Sequence, residues 1–261
     1  MLNVRDSLNP SQAIDLLSSR VLNVVPHIRI CPYTGPGLKN SLLQAASQGR
    51  TPLLKKLSGS LELASPEILA GAAVKLEELR AELSSPQLEA IFTRIAGSQD
   101  SKLRSLDGWQ VSGISGVDVS MVSSAVFAGA LSRLESVYLG LYTRVTAGQL
   151  EALFTVLTSH QAEAGEPKLK ELGLMLCGMD FSSVSSELLV RAIQRLEKVE
   201  FFYARMTVEQ ITAVRTMVKE NRQGRLKNVK IYFSSVSVSP VLIREARMNH
   251  AVKIELVRLK Y

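Results

Sequence analysis

Two consecutive stretches decide the fold: Leu134-Glu135-Ser136-Val137-Tyr138-Leu139, and then Thr146-Ala147-Gly148-Gln149-Leu150. In the first stretch, apolar residues stand at the first, fourth and sixth positions, and the alternation at its end is typical of a short half-buried strand. The second stretch has a hydroxyl residue followed three positions later by Gln, which is the capping-box signature of a helix start. Together they predict a short strand that leads into a helix.

The strand pattern recurs along the whole chain, at spacings of 22 to 35 residues. The first apolar residues of its copies are Val25, Leu54, Leu76, Leu103, Leu134, Leu169, Leu196, Leu226 and Ala251. A repeat of this length predicts a solenoid whose stacked strand-helix units share one core. We therefore interpret residues 1–261 as a single domain of about eight or nine units. The chain begins within a repeat, which also fits a segment of a longer protein.

Runs between the strands carry one-sided apolar stripes, which predict amphipathic helices. Three such stripes are Leu88-Ile91-Phe92-Ile95, Leu150-Leu153-Phe154-Leu157 and Ile211-Val214-Arg215-Val218. Two kinds of helix start occur. One kind has Gln three residues after a polar cap, at Asn9, Ser84, Thr146 and Thr207; the other is headed by Ser65 and Ser185. A further helix, beginning near Gly37, is predicted within Pro36 to Ser47.

The composition narrows the class of protein. No apolar run approaches the roughly 20 residues that span a bilayer, and the first residues lack the apolar core of a signal peptide. The chain has two cysteines, Cys31 and Cys177, too few for a disulfide-stapled scaffold or a structural zinc site. We therefore expect a cytoplasmic protein without a membrane span, whose two thiols are reduced and mostly buried.

The Leu-x-x-Leu-x-Leu pattern of the strands, with helices between them, resembles the intracellular, helix-bearing kind of leucine-rich-repeat protein. It is similar to ribonuclease inhibitor and to the repeat domains of F-box and NOD-like proteins. The resemblance covers nearly the whole chain, from about Leu2 to Tyr261. It implies an α/β solenoid curved into a horseshoe, with a parallel β-sheet on the concave face and helices on the convex face.

One position departs from the family pattern. The family places Asn or Cys after each strand, where the side chain bonds backbone groups of the neighbouring coil. The corresponding residues here are Tyr33, Glu62, Ser84, Val111, Tyr142, Cys177, Ala204 and Ser234. Only Cys177 conforms, so the buried backbone groups at these turns must find other partners, such as water or the capping hydroxyl groups.

The residue spacings that catalysis and metal binding need are missing. No two of the three histidines, His27, His160 and His250, have ligand spacing on one helix. The chain contains neither a glycine-rich phosphate loop followed by Lys-Ser/Thr nor a Gly-x-Ser-x-Gly elbow. We therefore predict a protein that is not an enzyme, with no catalytic residue, no cofactor and no metal.

The variable positions between the core residues of each strand form the concave face of such a sheet. We predict that this face binds a protein or peptide partner. Its predicted binding residues are Trp109, Tyr138, Met175, Phe202 and Tyr232, with the charged residues Asp107, Glu200 and Lys230 beside them. Aromatic and methionine side chains are enriched at the centres of interfaces because they contribute large contact area. A register shifted by one residue would instead turn them into the core.

Two other functions remain open. Residues 191–261 contain 15 Lys+Arg and 6 Asp+Glu, a net charge of +9, and such a basic surface can attract nucleic acid or anionic lipid. The sparse aromatic residues among these cations make nucleic acid the less favoured partner. The resemblance also leaves open a regulatory domain, either a GTPase activator or the substrate-recognition arm of a ubiquitin ligase. The sequence indicates no oligomeric state.

Overall fold

The computed structural model describes residues 1–4, 24–109, 118–140, 143–159, 167–176, 180–220, 225–233 and 253–258. The strands are β1 (Leu2–Val4), β2 (His27–Ile30), β3 (Lys56–Ser60), β4 (Glu78–Glu82), β5 (Ser105–Trp109), β6 (Ser136–Leu139), β7 (Glu171–Met175), β8 (Lys198–Ala204), β9 (Asn228–Phe233) and β10 (Lys253–Arg258). The helices are α1 (Pro36–Ser47), α2 (Pro66–Ala73), α3 (Ser85–Gly97), α4 (Ser124–Ser132), α5 (Ala147–Thr158), α6 (Ser186–Arg195) and α7 (Val208–Glu220). From β2 onward, strands and helices alternate up to β9, so the α/β class and the repeating arrangement are confirmed.

The chain divides into two compact units, Met1–Val117 and Asp118–Tyr261. In the first unit, β1 to β5 lie side by side in chain order, and every pair is parallel. In the second unit, β6 to β10 are arranged in the same way. Each helix between two strands of a unit therefore connects direct neighbours in the sheet. The interpretation of the whole chain as one domain stays a prediction.

The strands begin where the apolar pattern predicts them. Each strand from β2 to β10 starts two residues after the first apolar residue of its copy, as Lys56 follows Leu54. In β6, Val137 and Leu139 are at most 1% exposed, whereas Tyr138 between them is half-buried. One side of the strand therefore faces the core and the other side does not, as the alternation predicts.

The helices pack their apolar stripes against the core side of the sheet. The predicted stripe of α3 is buried along its whole length, and the ring of Phe154 in α5 lies 6.5 Å from that of Phe201 in β8. The stripe of α7 differs from the prediction at one position, because Arg215 is only half-buried and Met217 is buried instead. A guanidinium group keeps contact with water, while the methionine side chain adapts to the core.

Capping boxes start three helices as predicted. The Oε1 atoms of Gln87, Gln149 and Gln210 accept hydrogen bonds of 2.8 to 3.0 Å from the backbone N–H groups of the cap residues. Those cap residues are Ser84, Thr146 and Thr207. The predicted cap at Asn9 lies outside the described residues. All three glutamines are at most 1% exposed, which a capping role alone does not require.

The buried glutamines also bond the strand-to-helix turn of the preceding coil. Gln149 donates from Nε2 to the carbonyl oxygens of Val119 and Val122, at 2.7 and 2.6 Å. The equivalent donations run from Gln87 to Leu61 and Ala64, and from Gln210 to Phe181 and Val184. The buried carbonyl groups of these turns are therefore satisfied by a glutamine of the next coil, a partner that the sequence analysis did not anticipate.

Candidate functional site

Partly exposed aromatic side chains lie on the second-unit sheet, on the face opposite the described helices, which we call the open face. Met175 of β7 pairs with Phe202 of β8, and Phe202 pairs with Tyr232 of β9. Tyr138 of β6 pairs with Gly173 of β7. The open face thus brings together four of the predicted binding residues in the predicted register. We call Tyr138, Phe202 and Tyr232 the aromatic cluster.

The three rings of the aromatic cluster touch in sequence. Phe202 and Tyr232 are stacked, with centroids 4.7 Å apart and planes inclined by 10°. Tyr138 meets Phe202 edge to face, at a centroid distance of 6.4 Å and an angle of 75°. Such pairs contribute about 0.5–1.5 kcal/mol each beyond their buried area, so each ring holds its neighbour in place.

Gly173 makes room for the ring of Tyr138. A Cβ atom at Gly173 would lie 2.3 Å from Cδ2 of Tyr138, closer than atoms approach without a clash. The tyrosine ring therefore lies across β7, and this position lets it reach Phe202 two strands away. A glycine at this one point of the strand is a condition for the continuous aromatic cluster.

A buried carboxylate lies beside the aromatic cluster. Oε1 of Glu200 is 3.4 Å from Nζ of Lys198 and 3.4 Å from Nζ of Lys230. Glu200 is 8% exposed, whereas the side chains of Lys198 and Lys230 are 39% and 27% exposed. Burial of a carboxylate is tolerated when cations pair with it. Glu200 was predicted as part of the rim, but its carboxylate is covered by the two lysines that flank it.

Another carboxylate of the open face is exposed. Glu171 pairs with Lys198 along the sheet, and its Oε2 accepts a hydrogen bond of 3.4 Å from Oγ of Ser136. The open face therefore changes in character across the strands. Among the described side chains, its exposed carboxylate lies on β7, and its partly exposed ammonium groups lie on β8 and β9.

Two predicted binding residues, Asp107 and Trp109, belong to the first unit. Trp109 ends β5, where its backbone pairs with Glu82. Asp107 forms an ion pair with Arg80, with 3.0 Å between Oδ2 and Nε. Burial raises the pKa of Asp107, an effect that the charge of Arg80 opposes and that of Glu78 reinforces. Asp107 is thus engaged within its own sheet.

The first-unit sheet pairs polar side chains between neighbouring strands. Nζ of Lys56 lies 2.6 Å from Oε2 of Glu78, and Nε2 of His27 lies 2.9 Å from Oγ of Ser58. Burial lowers the pKa of His27, and the nearby charge of Glu78 opposes this effect. These are cross-strand side-chain pairs, which stabilise the association of neighbouring strands.

Metal-binding and thiol chemistry can be followed only in the described ranges. Within them, no three His, Cys, Asp or Glu side chains lie close enough together to hold a metal ion. No helix among the described residues is long and apolar enough to cross a membrane. Cys31 carries a free thiol and is only partly exposed. Cys177 lies outside the described residues.

Two features of the open face were not predictable from the sequence. The pattern showed Gly173 between larger residues, but not that its Cα supports a tyrosine ring. Glu200 and Lys230 were predicted as charges beside the aromatic residues, but it was not predicted that Glu200 is shared between Lys230 and Lys198. Both features depend on which residue the register places opposite, and spacing along one strand carries no such information.

Together, the fold and the site define an α/β repeat protein of parallel strands and helices, whose second unit presents an aromatic cluster beside paired charges. A scan against protein-family models found no match for the chain, and a search of curated proteins found none either.

Proposed function

We propose that the chain is a leucine-rich-repeat protein of the helix-bearing kind, and that it is a non-catalytic scaffold. On this proposal, the strands line the concave side of a curved solenoid and bind a partner protein there. Parallel strands in chain order, and cores built from the Leu-x-x-Leu-x-Leu positions, support the family assignment.

The aromatic cluster is the observation that carries the proposed binding function. Tyr138, Phe202, Tyr232 and the neighbouring Met175 are all partly exposed and contiguous. Residues of these types dominate binding energies at interface centres, where surrounding polar groups exclude water. Apolar surface contributes about 25 cal/mol for each Å² that is removed from water, so a partner that covers the cluster gains free energy from all three rings.

The cluster is also organised before a partner arrives. The stacked pair and the edge-to-face contact restrict the rings, and Gly173 fixes where Tyr138 lies. Side chains that are already ordered lose little conformational entropy on binding, which otherwise costs about 0.5–1.5 kcal/mol per side chain. The open face therefore suits specific recognition better than a flexible apolar surface does.

A capture experiment followed by variants tests this function. The full chain is immobilised, proteins retained from an extract of the source cells are identified, and the affinity of the purified partner is measured by calorimetry. We expect that Phe202→Ser with Tyr232→Ser weakens binding at least about tenfold, because it removes the centre of the interface. The far-ultraviolet circular dichroism of the variant should match that of the wild type.

Met121→Ser is the matched control. Met121 is 84% exposed, so this variant also removes an exposed apolar side chain, but at a turn outside the open face. Its affinity for the partner should equal that of the wild type. Equal losses in both variants, or none in the double variant, would show that the partner does not bind through the aromatic cluster.

A further inference from the structure

We propose that the open face of the second unit accepts an acidic protein segment. A carboxylate of the segment contacts Lys198 and Lys230, and an aromatic or large apolar side chain close to that carboxylate packs against Phe202 and Tyr232. This inference rests on the proposed function, since it names the chemistry of the partner for the same face.

The charged side chains beside the aromatic cluster differ in their exposure. The side chain of Glu200 is 11% exposed, whereas those of Lys198 and Lys230 are 39% and 27% exposed. An approaching partner therefore meets the two ammonium groups more than the carboxylate between them. The group formed by these three residues has a net charge of +1, from two cations and one anion. Opposite charge on the partner gives complementarity and speeds association.

The charged group and the rings lie a short distance apart along β8 and β9. Lys230 and Tyr232 stand two residues apart on one face of β9, as Glu200 and Phe202 do on β8. Two residues of a strand span about 7 Å. An extended partner segment with an acidic residue and an aromatic residue two positions apart has the same spacing. One such segment can therefore contact the lysines and the rings at once.

Glu171 sets the orientation of the segment. This exposed carboxylate lies on β7, one strand from Lys198 and two strands from Lys230. It repels a partner carboxylate from the β7 side and leaves β8 and β9 as its contact.

Glu200 competes with the partner for the same two cations. Replacing it by glutamine keeps the shape of the side chain and removes the internal anion. The variant Glu200→Gln should therefore bind an acidic segment more tightly, by about threefold, because the anion that competes with the partner for both lysines is then gone. A purely structural role of Glu200 gives no gain in affinity.

The test uses synthetic peptides and the methyl resonance of Met175, which reports on the open face. The full chain carries ¹³C-methyl methionine, and Met175→Leu assigns the signal. The probe is acetyl-Gly-Ser-Glu-Ser-Phe-Ser-Gly-amide, and the comparison peptides carry Gln or Lys in place of Glu, or Ala in place of Phe. The probe should bind about threefold more tightly than the Gln peptide and about tenfold more tightly than the Lys peptide.

Variants of the protein complete the test. Lys198→Met with Glu200→Gln removes one cation without leaving a buried carboxylate unpaired, and should return the affinity of Glu200→Gln to the wild-type value or below. Lys227→Met is the control, because Lys227 is exposed and pairs with Glu197 just before the strands begin. This control should bind the probe as the wild type does.

The outcomes separate the inference from the proposed function. Equal binding of the Glu, Gln and Lys peptides that is lost in Phe202→Ser leaves the face a binding surface and overturns the acidic partner. The absence of any shift at millimolar probe also overturns it, while the capture experiment decides the proposed function. A graded preference for Glu, with tighter binding by Glu200→Gln, supports the inference.

Discussion

At the scale of single residues, Gly173 allows the ring of Tyr138 to lie across the open face, because glycine has no side chain. Gly173 lies where any Cβ atom would meet the ring of Tyr138 at 2.3 Å. The ring covers the backbone of β7 and continues the row of aromatic contacts to Phe202. The aromatic cluster thus depends on Gly173, although this glycine contributes no side chain to it.

We expect Gly173→Ala to lower the free energy of unfolding by about 1–3 kcal/mol, because the methyl group forces the tyrosine ring out of place. Urea unfolding measures the loss. The double variant Tyr138→Ala with Gly173→Ala should be no less stable than Tyr138→Ala alone, since the clash has then been removed. Additive losses would mean that the alanine acts through the backbone and not through the ring.

The contributions of Asp107 and Asp118 to the free energy of unfolding should change in opposite directions as the pH falls. Burial raises the pKa of Asp107, so its ionisation costs stability as the pH rises from its ordinary value near 3.8 through the raised value. Hydrogen bonds with Ser120 hold the pKa of Asp118 below 3.8, so its contribution is present above that value and is lost as the pH falls through the lowered one. The stability of the wild type alone would not show this difference, because it sums the contributions of both aspartates.

Comparison with amide variants isolates each aspartate. The free energy of unfolding of the wild type, compared with that of Asp107→Asn, should fall as the pH rises from 3.8 through the raised pKa of Asp107. The free energy of unfolding of the wild type, compared with that of Asp118→Asn, should increase as the pH rises from the lowered pKa of Asp118 to 3.8. Urea midpoints measured between about pH 2.5 and pH 6 follow both differences. Differences with the same sign for the two pairs would contradict the assignment.

At the scale of the elements, buried glutamines join three helix starts to the turns of their preceding coils. Gln149 caps its own helix through Oε1 and bonds the turn of the preceding coil through Nε2. Gln149 and Gln210 stand 61 residues apart, which is the length of two coils. The structural repeat of the second unit is therefore a pair of coils, one with a serine-headed helix and one with a glutamine.

We expect Gln149→Met to lower the free energy of unfolding by about 2–4 kcal/mol. Methionine keeps the volume but leaves the carbonyl groups of Val119 and Val122 and the N–H group of Thr146 without this partner, at about 1–3 kcal/mol per buried group less any relaxation. Thermal and urea unfolding give the value. Gln194→Met, at an exposed position of α6, is the control and should change stability by less than about 0.5 kcal/mol.

The capping glutamines show what a pattern along the chain can predict. The helix starts at Ser84, Thr146 and Thr207 were predictable, because a capping box is a local arrangement within four residues. The second set of hydrogen bonds was not predictable in this way. It joins residues 23 to 30 positions apart, and nothing in the local spacing indicates which turn will lie against the helix start.

At the scale of the whole molecule, the two compact units contain the same stabilising device with separate partners. Gln87 bonds Leu61, Ala64 and Ser84 within Met1–Val117, whereas the partners of Gln149 lie within Asp118–Tyr261. Stability in a repeat array is a sum of coil and nearest-neighbour terms. Losses at the two glutamines should therefore be independent.

We expect the double variant Gln87→Met with Gln149→Met to lose the sum of the two single losses within about 0.5 kcal/mol. Hydrogen exchange should show faster exchange near Val119 and Val122 in Gln149→Met, with little change near Leu61 and Ala64. A coupling free energy well above about 1 kcal/mol, or faster exchange at both turns in one single variant, would show that the two turns open together.

The sequence by itself determined the α/β class, the positions of the strands and the buried stripes of α3 and α5. These features follow from the period of apolar residues, which is a local property: Leu76 places β4, and Leu88 with Ile91 places α3. The tertiary structure alone decided that Tyr138 lies over Gly173 and that two lysines share Glu200. It also decided that a glutamine such as Gln149 bonds the turn of the preceding coil. These contacts join different coils, and their partners are set by the register of strands whose spacing in the sequence varies from 22 to 35 residues.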